Sequence, residues 1–361
     1  MIFIAFLWNH VFSEQFSDYY SEPVSHLIEG SSEQRILLDP LNYFVKDTVF
    51  RNMSGSLAPI HIIYFYNLNM LIVDCLFHNC YTTNNGGGIY FSCADRGSFT
   101  IKRVCGSFCS TQTNFYGQFL HSSVPYTNRS MIQLLTLEKC AGSITTRYSA
   151  LYISGGNLTF VENNISKCYS YQCSAFNLNS MQAFHARYCT FYANSAVYSM
   201  CMYFSYILYS NIQYSNILNN NSPSSDAVIT IVNYPLNATN CIFMYNFHTL
   251  FKSTNTQFYL FSGWLFHGSS IYTTGTLITS GVYNNNLETQ TIVINHFSTY
   301  GCNPQAFAQD ISPCQTIPHP PTPYQSIPPD CLISGSLSGL NTISSFFSMI
   351  TLAIFPFFLT K

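Results

Sequence analysis

Short runs of alternating apolar and polar residues follow one another through most of the chain. Clusters of Asn, Ser and Gly separate them, as Asn84-Asn-Gly-Gly-Gly88 precedes Ile89-Tyr-Phe91. A period of two, with β-branched and aromatic residues between turn residues, is typical of short half-buried strands. Between residues 41 and 301 the sequence shows no segment that resembles a crossover helix. The pattern therefore predicts an all-β protein.

Two series of similar segments recur along this region. The first places an apolar residue just before Asn: Phe50-Arg-Asn52, Phe77-His-Asn79, Phe160-Val-Glu-Asn163, Phe191-Tyr-Ala-Asn194, Ile217-Leu-Asn-Asn220 and Phe243-Met-Tyr-Asn246. The second is a small residue followed by alternating apolar positions, and its steps are 25, 25, 27, 22 and 27 along Leu151, Phe176, Cys201, Val228, Leu250 and Leu277. Two series with one period indicate a repeated structural unit.

A unit of this length with two or three short strands fits one coil of a parallel β-helix. Leucine-rich repeats have the same length but need a leucine frame that is absent here, and a propeller blade is longer. We therefore predict a right-handed parallel β-helix, a pectin-lyase-like solenoid of about ten coils, over residues 41–301. Phe77, Phe191 and Phe243 should stack on one internal ladder, and Asn79, Asn194 and Asn246 should form structural corners.

The two ends of the chain differ from the repeat region. Residues 1–13 are apolar and end in Val11-Phe-Ser13, which predicts a signal peptide, with a buried first strand as the alternative. Residues 14–40 are predicted to cap the first coil, and the proline-rich residues 302–333 to form an extended stalk. Residues 334–361 contain a long uncharged segment, which predicts a membrane anchor, either a transmembrane helix or a lipid-anchor signal.

Composition narrows the possible functions. Only 8% of the residues are charged and the net charge is −2, so the chain has no electrostatic footprint for nucleic acid. The 14 cysteines form no zinc-ligand pattern, and in an oxidising compartment we expect some of them to pair.

Two of the repeated motifs resemble a known family. Gly86-Gly-Gly-Ile89, together with the Phe-x-x-Asn segments that end at Asn163, Asn194 and Asn246, resembles the repeats of the chlamydial polymorphic outer-membrane proteins. The chain is also similar to surface proteins of parasitic protists, such as trichomonads, that carry related repeats. The resemblance covers roughly residues 41–301 and implies surface display and adhesion. The bacterial family ends in an outer-membrane barrel, whereas this chain has only a short apolar tail.

The chain contains six N-x-[ST] sequons that are candidates for glycosylation in a eukaryotic secretory pathway. They begin at Asn52, Asn128, Asn157, Asn164, Asn220 and Asn237. Together with the missing barrel, they favour the protist resemblance over the bacterial one.

The sequence gives little support for catalysis. From Cys189 to Gly301 the only acids are Asp226 and Glu288, so neighbouring coils there have no carboxylate pair. Asp74, Asp95, Glu138 and Glu162 are interpreted as separate solvated charges, and His78, His185, His248 and His267 as surface residues. We assign no catalytic, cofactor-binding or metal residue.

We expect a membrane-anchored protein of the cell surface, adhesive or structural, that binds host surface or glycan through outward tyrosines such as Tyr90, Tyr152, Tyr203 and Tyr206. The alternatives are a polysaccharide-active enzyme of the pectin-lyase-like class and an inert coat or decoy protein.

Overall fold

The structure is a computed structural model, and it describes residues 14–30, 36–37, 42–64, 67–140, 148–197, 200–222, 227–266, 273–284 and 292. The predicted signal peptide (1–13), the stalk (302–333) and the anchor (334–361) lie outside the described residues, as do Asp226, His267 and Glu288. The described residues belong to one compact unit.

Each coil contributes short strands to three faces, here named A, B and C in chain order. Face A contains Ile36–Leu37, Ile60–Tyr64, Ile89–Cys93, Leu120–Ser123, Leu151–Ser154, Cys173–Asn179, Met200–Ser205 and Ile229–Val232. Face B contains His26–Glu29, Tyr43–Lys46, Asn157–Val161, Ala183–Arg187, Tyr209–Gln213 and Leu236–Thr239. Face C contains Val49–Arg51, Asn164–Ser166, Thr190–Tyr192, Asn216–Leu218, Ile242–Met244, Trp264–Phe266 and Tyr283–Asn284.

Longer strands cross from one face to the next. Leu68–His78, Gly97–Ser107 and Arg129–Glu138 belong to faces B and C, whereas Phe251–Phe261 and Thr273–Ser280 belong to faces A and B. Small strands lie between face C and the next face A: Ser54–Gly55, Tyr81–Thr82, Ser110–Thr111, Tyr169–Ser170 and Ser195–Ala196. The one helical element is the 3₁₀ turn Phe16–Asp18, as far as the described residues extend.

All strand pairings between the described strands are parallel, and the strands of the three faces form one sheet of 26 strands. Every strand pairs with the equivalent strand of the next coil, as Asn157–Val161 does with Ala183–Arg187. This topology confirms the predicted all-β fold and the parallel β-helix.

The interior is filled by ladders of equivalent apolar side chains. On face C one ladder contains the three predicted phenylalanines, and it runs through Phe50, Phe77, Gly106, Leu137, Ile165, Phe191, Ile217, Phe243 and Leu265. Apart from the glycine, these side chains are buried in a single core cluster. Because the coils repeat about every 4.8 Å, equivalent side chains stack and contribute both apolar burial and ring contacts.

The second series holds only in part. Leu151 and Phe176 are register partners on face A, but the ladder continues through Met202 and Ile229. The predicted Cys201 and Val228 therefore lie one residue before it. The physical reason is an irregularity in the pairing after Cys173, which shifts the register by one residue.

The corners of the coil use residues with a left-handed backbone. The position between faces B and C has a φ of 47–56° in Asp47, Asp74, Arg103, Leu134, Glu162, Tyr188, Tyr214, Asn240 and Ser262. The position after face C has a φ of 52–55° in Asn52, Asn79, Phe108, Lys139, Lys167, Ala193, Asn219 and Tyr245. A residue other than glycine, Asn or Asp is strained in this region, so the presence of one leucine and three tyrosines at these two positions indicates that coil packing imposes the corner.

The predicted asparagine corners fall into two kinds. Asn79 has the left-handed backbone itself, and its exposed amide donates to Asn52 Oδ1 of the preceding coil at 2.8 Å. Asn194 and Asn246 come one residue after the left-handed position, and their side chains are fully buried. The spacing explains the difference, because Phe-x-Asn places Asn at the turn, whereas Phe-x-x-Asn places it inside the coil.

Ten of the eleven described cysteines are buried free thiols. Several occupy the inner corner position just after the left-handed residue, as Cys80, Cys109, Cys140 and Cys168 do on successive coils. These thiols therefore act as small core side chains. The expectation of disulfides gains no support from these ten cysteines.

The segment predicted as an N-terminal cap takes part in the coils. His26–Glu29 pairs with Tyr43–Lys46, and Ile36–Leu37 pairs with Ile60–His61. Before them, Phe16 packs on the outer side of face B against Phe44, Leu71 and Val73.

Ion pairs anchor this N-terminal segment. Glu14 pairs with Lys102 and with Arg103, which also holds Asp74 through two hydrogen bonds of 2.7 and 2.8 Å. Burial alone would raise the pKa of Glu14, but hydrogen bonds from Lys102, Tyr19 and Arg103 lower it to about 2.

Candidate functional site: an aromatic row on face A

Four rings form a stack on the outer side of face A. Because Ile60 and Ile62 point inward, His61 between them points outward, and the same alternation turns Tyr90, His121 and Tyr152 outward, where Tyr90 and Tyr152 are half-buried and His121 is 8% exposed. These four residues are register partners on successive coils. We call them the aromatic row.

The rings of the row are nearly parallel and evenly spaced. The centroids are 4.7 Å apart for His61 and Tyr90, 4.9 Å for Tyr90 and His121, and 4.9 Å for His121 and Tyr152. Interplanar angles are 5–19°. The spacing equals the rise from coil to coil, so the regular backbone by itself places the rings in van der Waals contact.

Two further tyrosines widen the row. Tyr116 and Tyr148 come from the segments before face A, and their rings stack 3.8 Å apart. Tyr116 also lies 4.6 Å from the ring of Tyr152. The result is a continuous cluster of six rings over the first coils.

The two histidines of the row are neutral near pH 7. Burial lowers the pKa of His61, and it lowers the pKa of His121 to about 4. The Nδ1 atom of each ring is buried and has no hydrogen-bond partner. Each imidazole is therefore held in place by ring contacts with its neighbours.

The stacking decides what a ligand would meet. The inner rings, Tyr90 and His121, are covered on both sides by neighbouring rings, so only their edges face outward. A sugar or peptide could not lie flat on these faces. It would meet the tyrosine hydroxyls and the imidazole edges, which can donate and accept hydrogen bonds.

The predicted outward tyrosines are found in two places. Tyr90, Tyr152 and Tyr203 belong to one ladder on face A, where Asn177 separates the last two. Tyr206 lies at the next corner with a φ of 55° and is 55% exposed. His61 and His121 were not predicted from the sequence, although aligning Ile60-His-Ile62 and Leu120-His-Ser122 with Leu151-Tyr-Ile153 would have revealed them.

The acidic residues considered for catalysis are dispersed or paired. Asp74 is held by Arg103, Glu138 pairs with Lys167 at 2.8 Å, and Glu162 accepts a hydrogen bond from Gln133. Asp95 lies in an exposed turn. In the part of the chain that the structure describes, no group of three or more His, Cys, Asp or Glu could hold a metal ion.

One carboxylate pair was not anticipated. Asp47 and Asp74 occupy the same corner on adjacent coils. Burial, and then the charge of Asp74, raises the pKa of Asp47.

The other predicted surface histidines lie away from the row. His78 is hydrogen-bonded to Ser107 Oγ at 2.8 Å, and burial lowers its pKa. His185 and His248 are exposed.

The six sequons differ in accessibility. Asn52 and Asn237 are exposed, Asn128 and Asn157 are half-buried, and the side chain of Asn164 is buried. Asn220 is fully buried, and its amide donates to the Phe191 carbonyl at 2.9 Å. A glycan on Asn220 would break this bond, so we expect this sequon to stay unmodified in the folded protein.

Comparisons of the chain with protein-family models, curated proteins and solved structures return no match. Among the described residues, no helix has both the length and the apolar character needed to cross a membrane.

Proposed function

We propose that this chain is a membrane-anchored β-helix protein of the cell surface, adhesive or structural, whose aromatic row binds a glycan or another host-surface molecule. The observation that carries the proposal is the row itself, a rigid line of ring edges on a repetitive scaffold. Rigid aromatic side chains offer contact area at a low cost in conformational entropy, which favours binding. The apolar C-terminal residues and the sequons support surface display.

The test isolates the hydroxyl groups of the row. Purified full-length chain would be applied to a glycan array and to host cells, beside the double variant Tyr90→Phe/Tyr152→Phe, which keeps the stack but removes two hydroxyls. We expect at least a tenfold loss of binding. The matched control is Tyr188→Phe/Tyr214→Phe, a stacked pair at another corner with centroids 5.4 Å apart. Equal binding by both double variants, or no binding by the natural chain, would refute the adhesive role and leave the inert-coat alternative.

Labelling of intact cells tests the location. Surface labelling that disappears after phospholipase treatment indicates a lipid anchor, and labelling that survives indicates a transmembrane helix. A chain protected from the label would contradict surface display.

A polysaccharide-active enzyme is the second candidate, because Asp47 and Asp74 place two carboxylates on adjacent coils beside Arg103. Hydrolysis or elimination would need one carboxyl group as an acid or a base, and the raised pKa of Asp47 suits that role. The engagement of Asp74 by Arg103 weakens this alternative. Release of products from polyuronides by the natural chain, abolished in Asp47→Asn, would establish it.

A further inference from the structure

Two tyrosines stack on the surface at the corner between faces B and C. Tyr188 and Tyr214 occupy this corner on adjacent coils, because the residues before them, Arg187 and Gln213, are register partners. The ring centroids are 5.4 Å apart and the ring planes differ by 18°. Each tyrosine is 40% exposed, so the stacked rings are open to small solutes and to the surface of another protein.

The backbone holds the two rings side by side. Both residues have a left-handed backbone, with a φ of 54° for Tyr188 and 47° for Tyr214. The Tyr188 N–H donates to the Gln213 carbonyl at 3.2 Å, and the Tyr214 N–H donates to the Thr239 carbonyl at 3.0 Å. Because each corner is bonded to the next coil, the two side chains begin about 4.8 Å apart and stay at that separation.

The corner pair has no further ring next to it along this corner. Glu162 occupies the same position on the coil before Tyr188, and Asn240 occupies it on the coil after Tyr214. Each of the two tyrosines therefore has the other as its neighbouring phenol at this corner.

The tyrosines beside the aromatic row are less accessible than the corner pair. Tyr116 stacks on Tyr148 with centroids 3.8 Å apart, and it also contacts the ring of Tyr152. All three of these residues are half-buried. An oxidising enzyme acts on the phenol groups that it can reach, so exposure favours the corner pair.

We propose that Tyr188 and Tyr214 form an oxidative cross-linking site, where the two phenol rings couple into a dityrosine bond between adjacent coils. A phenol that loses one electron and one proton becomes a radical. Two such radicals on neighbouring coils couple with each other, because their proximity replaces a bimolecular encounter. The inference depends neither on the aromatic row nor on the proposed function.

The chemistry balances with hydrogen peroxide as the oxidant and a haem peroxidase as the catalyst. Each phenol gives up one electron and one proton, and the peroxide takes up the two electrons and two protons and becomes two molecules of water. The carbon–carbon bond forms between the ring carbons ortho to the two hydroxyl groups. The two ortho hydrogens then move as protons to the phenol oxygens, which restores both aromatic rings.

The bond would tie one coil to the next. Tyr188 and Tyr214 are 26 positions apart in the sequence, so the cross-link closes a loop of one coil. A closed loop lowers the conformational entropy of the unfolded chain, as a disulfide does. The cross-link would therefore oppose unfolding of this coil.

Peptide mapping tests the site. Purified full-length chain would be treated with hydrogen peroxide and a haem peroxidase, then reduced, alkylated and digested with trypsin and chymotrypsin. Cleavage after Arg187, Phe191, Tyr209 and Leu218 releases residues 188–191 and residues 210–218, each with one tyrosine. We expect these two peptides to be joined, with a mass two hydrogen atoms below their sum.

An equal mixture of isotope-labelled and unlabelled chain shows whether the bond lies within one molecule. Joined peptides that are both labelled or both unlabelled would support the inference. Joined peptides of which one is labelled and the other unlabelled would mean that coupling occurs between molecules, and they would overturn it.

The double variant Tyr214→Asn/Asn240→Tyr separates distance from exposure. It keeps two tyrosines at the corner but places them two coils apart, about 10 Å. We expect the yield of cross-links at Tyr188 to fall about tenfold. The control Tyr192→Phe removes a tyrosine that is 39% exposed and should leave the yield unchanged.

Two results would refute the inference. One is an undiminished yield of cross-links at Tyr188 in the double variant. The other is a natural chain in which tyrosines become oxidised but Tyr188 is not joined to Tyr214, and this second result needs no variant that might fail to fold.

Discussion

The first and second halves of the β-helix fill the same inner corner in different ways. After face C, the first half uses Cys80, Cys109, Cys140 and Cys168, and the second half uses Asn194, Asn220 and Asn246. The thiols make long contacts to carbonyls two residues earlier, 3.7 Å for Cys80 and 3.5 Å for Cys168. The amides make short hydrogen bonds to the preceding coil. The backbone thus accepts either apolar filling or a polar ladder at one corner.

The asparagine ladder links coils more tightly than the cysteine ladder. Asn220 Oδ1 accepts from the Asn194 N–H at 3.0 Å, and Asn220 Nδ2 donates to the Phe191 carbonyl at 2.9 Å. Asn246 repeats the arrangement for Asn220. A buried ladder of this kind stabilises only when every member is paired, because each unpaired buried group is costly.

The outer surfaces of the two halves differ as well. The aromatic row belongs to the first half, and the same ladder continues through Asn177, Tyr203, Thr230 and Lys252. Titratable rings packed in a stack are therefore concentrated in the first half, whereas the second half depends on amides that do not titrate. The halves should respond differently to mutation and to pH.

The largest effect is expected for Asn220→Ala. This change leaves the Asn194 N–H without its acceptor and the Phe191 carbonyl without the amide donor, which should cost about 3–5 kcal/mol of unfolding free energy. Urea denaturation measures the loss, and Asn237→Ala, an exposed position, should change stability by less than about 0.5 kcal/mol. Equal losses of unfolding free energy in the two variants would show that the buried asparagine ladder stabilises the fold no more than an exposed asparagine does.

Acidification should weaken the first half selectively. The imidazole of His121 takes up a proton near pH 6.5 in the unfolded chain but only at about 4 in the folded one. Between these two pH values the unfolded state binds more protons than the folded state. The contribution of neutral His121 to the free energy of unfolding is therefore fully present above pH 6.5, and about 3 kcal/mol of it is lost as the pH falls towards 4.

Unfolding in urea at pH 7.5, 5.5 and 4.0 measures this loss, and hydrogen exchange locates it. His121→Phe should remove most of the pH dependence of stability while it keeps the ring stack. The control His185→Phe, at an exposed site, should leave the pH dependence of stability unchanged. Equal loss of protection in both halves would contradict the assignment to the aromatic row.

The smallest effect is expected for Cys168→Asn, which extends the asparagine ladder by one coil. The new amide can donate to the Leu137 carbonyl as Asn194 does to the Ile165 carbonyl, so the change should alter stability by less than about 1 kcal/mol. The reverse change, Asn194→Cys, should cost about 2 kcal/mol, because the Cys168 N–H loses its acceptor. Thermal unfolding of the two variants measures their loss of stability. An equal loss in both would mean that cysteine and asparagine are interchangeable at the corner after face C.

Much of the fold was predictable because each coil repeats one local pattern. The period, the alternation and the phenylalanine ladder through Phe77, Phe191 and Phe243 could be found from spacing alone. The register after Cys173 could not, since an added residue at an irregular strand start leaves the apolar pattern nearly unchanged. The site was harder, because His61, Tyr90, His121 and Tyr152 are about 30 residues apart and differ in residue type.

The stacking of coils follows from the amino-acid pattern alone, because short strands with one repeated apolar pattern can bury their inner sides only against equivalent strands. Which side chains meet across coils depends on the folded register of the strands. Whether an asparagine turns outward, as Asn79 does, or lies in the interior, as Asn194 does, depends on a shift of one residue relative to the left-handed corner. Because the coils stack in register, a shift of one residue places the asparagine side chain either in solvent or in the core.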